Sequence, residues 1–239
     1  MERFSKQDVL MTAAGSGDAT NADLSGINLS NTELVGVRFN GSNLSGANLS
    51  GANLSGATFL NCALSGINLG SANCTGASFR GADLTKADLT FSVLTGADLT
   101  AAVLRNADMT NARTTAACFE QADLTEANLQ MTDGGMTRFR GARMARANFR
   151  GASMIAADLS ACDLSRAKLY GTDLSAANLR GATLEGADIL DATFIAADLT
   201  EVNLISARVR RADMTRAQLS GLKYDDSLQE TIARYDRKK

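Results

Sequence analysis

A large apolar residue returns at nearly every fifth position from Leu24 to Leu219, with no insertion anywhere in the series. The stretch from Ser42 to Phe59 shows it most plainly. Leu44, Leu49, Leu54 and Phe59 follow one another at that interval, with Ala47, Ala52 and Ala57 each two places before a large residue. A period of five matches neither the helical 3.6 nor the strand period of two. The chain must therefore turn a corner once per unit, which makes it a repeat array and not a conventional globular domain.

Composition agrees. Pro, Trp and His are absent and aromatics make up 5% of the residues. Such a chain cannot build one bulky core, so burial has to come from stacking many similar layers. The lack of Pro fits a fold in which nearly every backbone N–H is engaged. Formal net charge is −2, which argues against a nucleic-acid binder and predicts no direct nucleic-acid role. Cys62, Cys74, Cys118 and Cys162 show no C-x-x-C spacing and have no His to complete a zinc site. They read as small buried thiols of a reducing compartment. No run approaches the ~18 apolar residues of a membrane span and no apolar leader opens the chain, so the expected location is cytoplasmic, without a membrane partner.

Only Cys74, Thr114 and Gly134 interrupt the large apolar series. Two places before each centre stands a small residue, usually Ala. Asp or Asn usually precedes the centre, Ser or Thr often follows it, and Gly often ends the unit. This A-(D/N)-L-(S/T)-G pattern resembles the pentapeptide repeat family over about residues 22–222. The resemblance implies an all-β fold: a right-handed quadrilateral parallel β-helix, or β-solenoid, of about ten coils, with centre and small residue inward. An independent sign of four units per coil is the spacing of Phe39, Phe59, Phe79, Phe119 and Phe139, with Leu99 in the gap. Residues twenty apart would stack in one column of rings.

Three regions follow. Residues 1–20 are expected to form an N-terminal cap with a short helix, in which Ser5 and Asp8 suggest a capping box and Phe4 and Val9 a hydrophobic staple. Residues 21–222 form the β-helix. Residues 223–239 form a C-terminal helix with Leu228, Ile232 and Tyr235 on one face, and Arg237, Lys238 and Lys239 favouring its end. That face is expected either to cap the last coil or to contact a twin chain, and the resemblance adds the possibility of a homodimer.

No residue constellation suggests catalysis. Without His, acid–base work would fall to Asp, Lys, Tyr or Cys, and the Asp residues sit at repeat positions on the outside of a rod. The chain is expected not to be an enzyme and to need no cofactor, catalytic residue or metal. The arginine-rich run Arg138 to Arg150 looks basic when read linearly, but twenty-residue stacking sets Arg138 beside Asp158, Arg140 beside Glu120, Arg143 between Asp123 and Asp163, and Arg146 beside Glu126. Arg113 with Asp133 and Lys168 with Asp188 would repeat the arrangement. Stacked Asn28, Asn48 and Asn68 could form an amide ladder.

Candidate partner contacts are what the pattern leaves over. Met131, Asp133, Gly134, Gly135 and Met136 surround the missing apolar centre, which could be a notch. Arg150, Arg180 and Arg210 have no stacked acid. The leading reading is a non-catalytic protein-binding rod acting as interaction scaffold or regulator. The alternative comes from the resemblance: some family members imitate duplex DNA, bind DNA gyrase or a related topoisomerase, and give resistance to quinolones or other gyrase poisons. Outward columns that mix Arg with Asp, and the absence of register-breaking loops, set this chain apart from those members.

Overall fold

A computed structural model of the chain describes residues 2–236. Two elements close the N-terminal end: strand β1 (Glu2–Arg3) and helix α1 (Lys6–Ala14). Strand β1 pairs in parallel with β2 (Ala22–Asp23), so the chain begins one layer beneath the first coil. Helix α1 starts on a reciprocal cap, in which the Asp8 backbone N–H donates to Ser5 Oγ and the Ser5 backbone N–H donates to the Asp8 carboxylate. Its Val9 is wholly buried and continuous with the core, with Phe4 packed beside it.

From there the chain winds as a tube. Isolated parallel bridges join residues twenty apart along its whole length, from Asp18↔Arg38 to Asn203↔Lys223. Four pentads thus bring the chain back over itself. One pentad shows why the sequence does this. Asn43 N–H donates to Ala22 O in the coil before, and Leu44 N–H to Ala63 O in the coil after. Gly46 N–H also reaches the next coil, at Ser65 O, while Ala47 N–H closes a turn on Leu44 O. The remaining donor, Ser45 N–H, is met by the Asn43 side chain at 3.1 Å. All five donors are therefore satisfied, the last by the Asx residue before the centre. Gly46 holds the left-handed conformation, φ 65°, that the third residue of a type II turn requires. Because one residue in five is left-handed, no side grows into a long strand.

The interior is filled by centres and small residues. Phe39 stacks on Phe59 and Phe59 on Phe79, with ring centroids 4.9 and 4.8 Å apart, and Phe119 stacks on Phe139 at 5.0 Å. Polar residues at the small inward position find a backbone carbonyl: Ser92 and Thr32 use the one three residues earlier, Leu89 O and Leu29 O, and others use one in the coil before. Thr132, Thr137, Thr172 and Cys162 each donate to the carbonyl twenty-three residues earlier, that of Met109, Thr114, Phe149 and Phe139 respectively. A hydroxyl or thiol can therefore replace Ala without leaving a buried donor unpaired.

A short 3-10 turn (Asp226–Leu228) and helix α2 (Gln229–Asp236) close the other end. Ile232 is buried, Leu228 and Tyr235 pack against the core, and Tyr235 Oη donates to Ala212 O at 2.9 Å. The apolar face of α2 is thus applied to this chain's own last coils, with Leu228 and Tyr235 half-buried. Arg237, Lys238 and Lys239 lie outside the described residues.

Two details of the outward side chains differ from the sequence reading. Asn28, Asn48 and Asn68 do not form a ladder; each turns back to accept from the backbone N–H of Ser30, Ser50 and Gly70. Amide ladders occur instead at Asn53–Asn73 and Asn128–Asn148. The ion pairs also run differently. Arg143 pairs with Asp123 and Arg146 with Glu126, at 2.9 and 3.0 Å, but Glu120 is taken by Arg138 and Asp188 by Arg208. Among the described residues, Arg140–Glu120, Arg138–Asp158, Arg113–Asp133 and Lys168–Asp188 form no ion pair.

Asp123 is the most enclosed of the carboxylates in these ion pairs, with 3% of its side chain exposed, and it accepts from Arg105, Arg143 and Thr125. Burial alone would raise its pKa; the Thr125 and arginine contacts outweigh that and hold it below the ordinary aspartate range. Asp123→Ala should cost about 2–3 kcal/mol near neutral pH, since it leaves two arginines without their acceptor. The folded pKa is depressed, so the contribution is present above the unfolded aspartate value and lost as pH falls through the folded one. The gap between wild type and Asp123→Ala in urea denaturation should be full at about pH 7 and should narrow progressively once pH falls below the unfolded aspartate value of about 3.9.

Candidate protein-binding groove

The sequence candidates do not form one site. Gly134 is inward, buried, and has no open space above it: a Cβ there would lie 2.6 Å from Met154 Sδ and 3.1 Å from Thr114 Oγ1. The missing centre is therefore filled from the next coil by Met154, and the surface carries no notch. Asp133 is exposed and Gly135 half-buried on the side between two corners. Met131 and Met136 occupy those corners, each left-handed at φ 57° and more than half exposed. Arg180 lies thirty residues beyond Arg150, hence one and a half coils on and on the opposite side. Arg210 lies sixty beyond Arg150, hence three coils up the same column.

What the fold brings together is Met131 and Arg150. With Gln130, Gly151, Tyr170 and Gly171 they line a shallow groove of about 370 Å³ along one corner of the tube. Gly151 and Gly171 follow Met131 in the corner column and make its floor. The Met131 thioether lies over Gly151, where a Cβ would stand 2.6 Å from Sδ, and nothing lies within 4 Å of the Cβ position at Gly171. One wall is Tyr170, 43% exposed, with the Arg150 guanidinium carbon 5.6 Å from its ring centroid. This cation–π contact orders a cation and an aromatic ring at the surface, an arrangement worth roughly 0.5–1 kcal/mol at exposed sites. Sequence reasoning sought only acidic partners for Arg150 and so missed Tyr170, although the twenty-residue spacing pointed to it.

All four cysteines are free and buried. Burial pushes the thiols of Cys62, Cys74 and Cys162 up to about 11, 12 and 12, so they are not thiolates near neutrality. Among the described residues no group of His, Cys, Asp or Glu is placed to hold a metal ion, and no helix is long and apolar enough to cross a membrane.

A family profile described as pentapeptide repeats matches in eight copies, over residues 22–59, 62–100, 102–133, 137–169, 157–194 and 192–223. The chain belongs to the pentapeptide repeat family. With that membership the tube is a right-handed β-helix. Among solved structures it is similar to HetL, a pentapeptide repeat protein involved in heterocyst differentiation regulation from the cyanobacterium Nostoc sp. strain PCC 7120. The two share 29% identity at a TM-score of 0.78, over 93% of this chain and 98% of that one. It also matches QnrB1, a plasmid-mediated fluoroquinolone resistance protein, at 21% identity and a TM-score of 0.42, over 91% and 98% of the two chains. A search of the curated proteins finds no match.

Proposed function

We propose that this pentapeptide repeat protein is a four-sided rod of about ten coils that acts by binding another protein, as a non-catalytic scaffold or regulator. The observation that carries this is the corner groove. A rod stabilised layer by layer needs no exposed Met, Tyr and Arg gathered around a glycine floor, and Met at a left-handed corner gives up conformational ease that Gly or Asn would supply. Apolar and aromatic side chains beside an arginine are the composition of interface centres. The similarity to HetL, whose described role is regulatory, supports the same reading. The ion pairs at Arg138, Arg143, Arg146, Arg208 and Arg211 interrupt the acidic columns and speak against a DNA mimic.

The test is affinity capture from the source cells with the full chain and with a Met131→Gly, Arg150→Ala, Tyr170→Ser variant. All three changes are at the surface, and Gly suits the corner at 131. A partner captured by the wild type should be lost with the variant; equal recovery would refute the groove. In a gyrase supercoiling assay the protein should neither inhibit nor protect against a quinolone at about micromolar concentration, and either effect would favour the topoisomerase reading.

A further inference from the structure

The groove is one end of a longer surface. The outward residue after each centre on this side gives the column Arg150, Tyr170, Leu190, Arg210, each twenty residues from the next and so one coil further along the rod. Cation, aromatic, aliphatic and cation follow in a line. Neighbouring cations on the same side fall into two groups. Arg146, Arg208 and Arg211 are answered by Glu126, Asp188 and Asp191. Arg150, Arg166, Lys168 and Arg210 have no carboxylate within ion-pair distance among the described residues. On a chain of net charge −2, the second half of this side is a local excess of positive charge around an apolar centre.

We propose that this column receives an acidic segment of a partner protein, with carboxylates at both ends and large apolar side chains between them. The proposal rests on the protein-binding reading above and names the chemistry of the partner. Length supports it. Three coils at the strand spacing of ~4.8 Å separate Arg150 from Arg210 by about 14 Å, which an extended peptide covers in about five residues. Carboxylates at either end can reach the two arginines, while the intervening side chains meet Tyr170 and Leu190. A nucleic acid fits less well. Asp188 and Asp191 stand on either side of Leu190 in the same coil, where a continuous phosphate backbone would be repelled.

Fluorescence anisotropy on the full chain tests this. The probe is a labelled octapeptide with paired glutamates at both ends and a phenylalanine–leucine centre. Controls replace the glutamates by glutamine, or the centre by serines, and a third probe is a labelled DNA duplex of about 20 base pairs. The acidic apolar peptide should bind at least about tenfold more tightly than either control peptide, and more weakly as salt rises. Arg150→Glu with Arg210→Glu should weaken it about tenfold or more, whereas Arg180→Glu on the opposite side should change it less than about twofold. Circular dichroism confirms that each exposed variant remains folded. Equal binding of the glutamine peptide, an equal effect of Arg180→Glu, tighter binding of the duplex, or no binding of the peptide would each overturn the proposal. If the peptide fails while the Met131, Arg150 and Tyr170 variant still loses its captured partner, only the acidic chemistry falls and the binding groove stands.

Discussion

Phe59→Ala should destabilise the protein by about 4 kcal/mol, the largest loss expected from any single side chain in the column. Phe59 is wholly buried and sits between two rings, with interplanar angles of 11° to Phe39 and 2° to Phe79. Alanine removes both contacts and leaves a cavity that cannot close, because hydrogen bonds to the coils on either side fix the backbone. Phe59→Leu should cost only about 1–2 kcal/mol, since Leu99 already fills the same position between Phe79 and Phe119. Urea denaturation compares the two. Equal losses would mean that the stacked ring carries the whole contribution and the volume it fills none. Because each layer touches only its neighbours, amide exchange in Phe59→Ala should rise first at Phe39 and Phe79 and leave the coils around Leu179 unchanged.

Gly134→Leu restores the repeat pattern, yet it should lower stability by about 1–3 kcal/mol. The space that the pattern assigns to a centre is occupied by Met154 Sδ and Cε, 2.6 and 2.9 Å from where even a Cβ would stand. Leucine must expel that side chain or push on Thr114. The double variant Gly134→Leu, Met154→Ala exchanges one volume for the other and should recover most of the loss. Thermal melts of the four proteins give the coupling, and additive effects would show that Met154 does not fill the site.

These two positions also mark how far the sequence could be read. The column at Phe59 was legible because a stacked residue depends only on its own position and on the period. Gly134 was not, because it concerns a volume shared between rungs, and an unbranched Met can lean into a neighbour's space. The ion pairs divide on the same principle. Arg146–Glu126 joins residues twenty apart and was readable. Arg80–Asp98 and Arg138–Glu120 join residues eighteen apart, one after its centre and the other before the centre of the adjoining coil. Long arginine side chains cross the side diagonally, and a vertical reading of columns misses that. The Arg150–Tyr170 contact lay on the right spacing but required a different kind of partner. The Asx residues were legible as outward groups suited to local hydrogen bonds at the corners; which backbone N–H each one meets, the donor that the turn leaves over, is a property of the folded pentad.

The return of the chain upon itself after twenty residues has a consequence for heredity as well as for shape. Excising twenty residues from the middle would shorten the rod by one layer and leave every later side chain facing the same compass direction. Excising five would preserve an unbroken repeat, yet swing everything downstream through a quarter turn about the axis. A cut between Arg150 and Tyr170 would then carry the tyrosine onto another side and dissolve the groove without disturbing the fold. For a lineage of such chains, binding specificity is an angular coordinate, and the smallest genetic step that keeps the structure intact is large enough to change it.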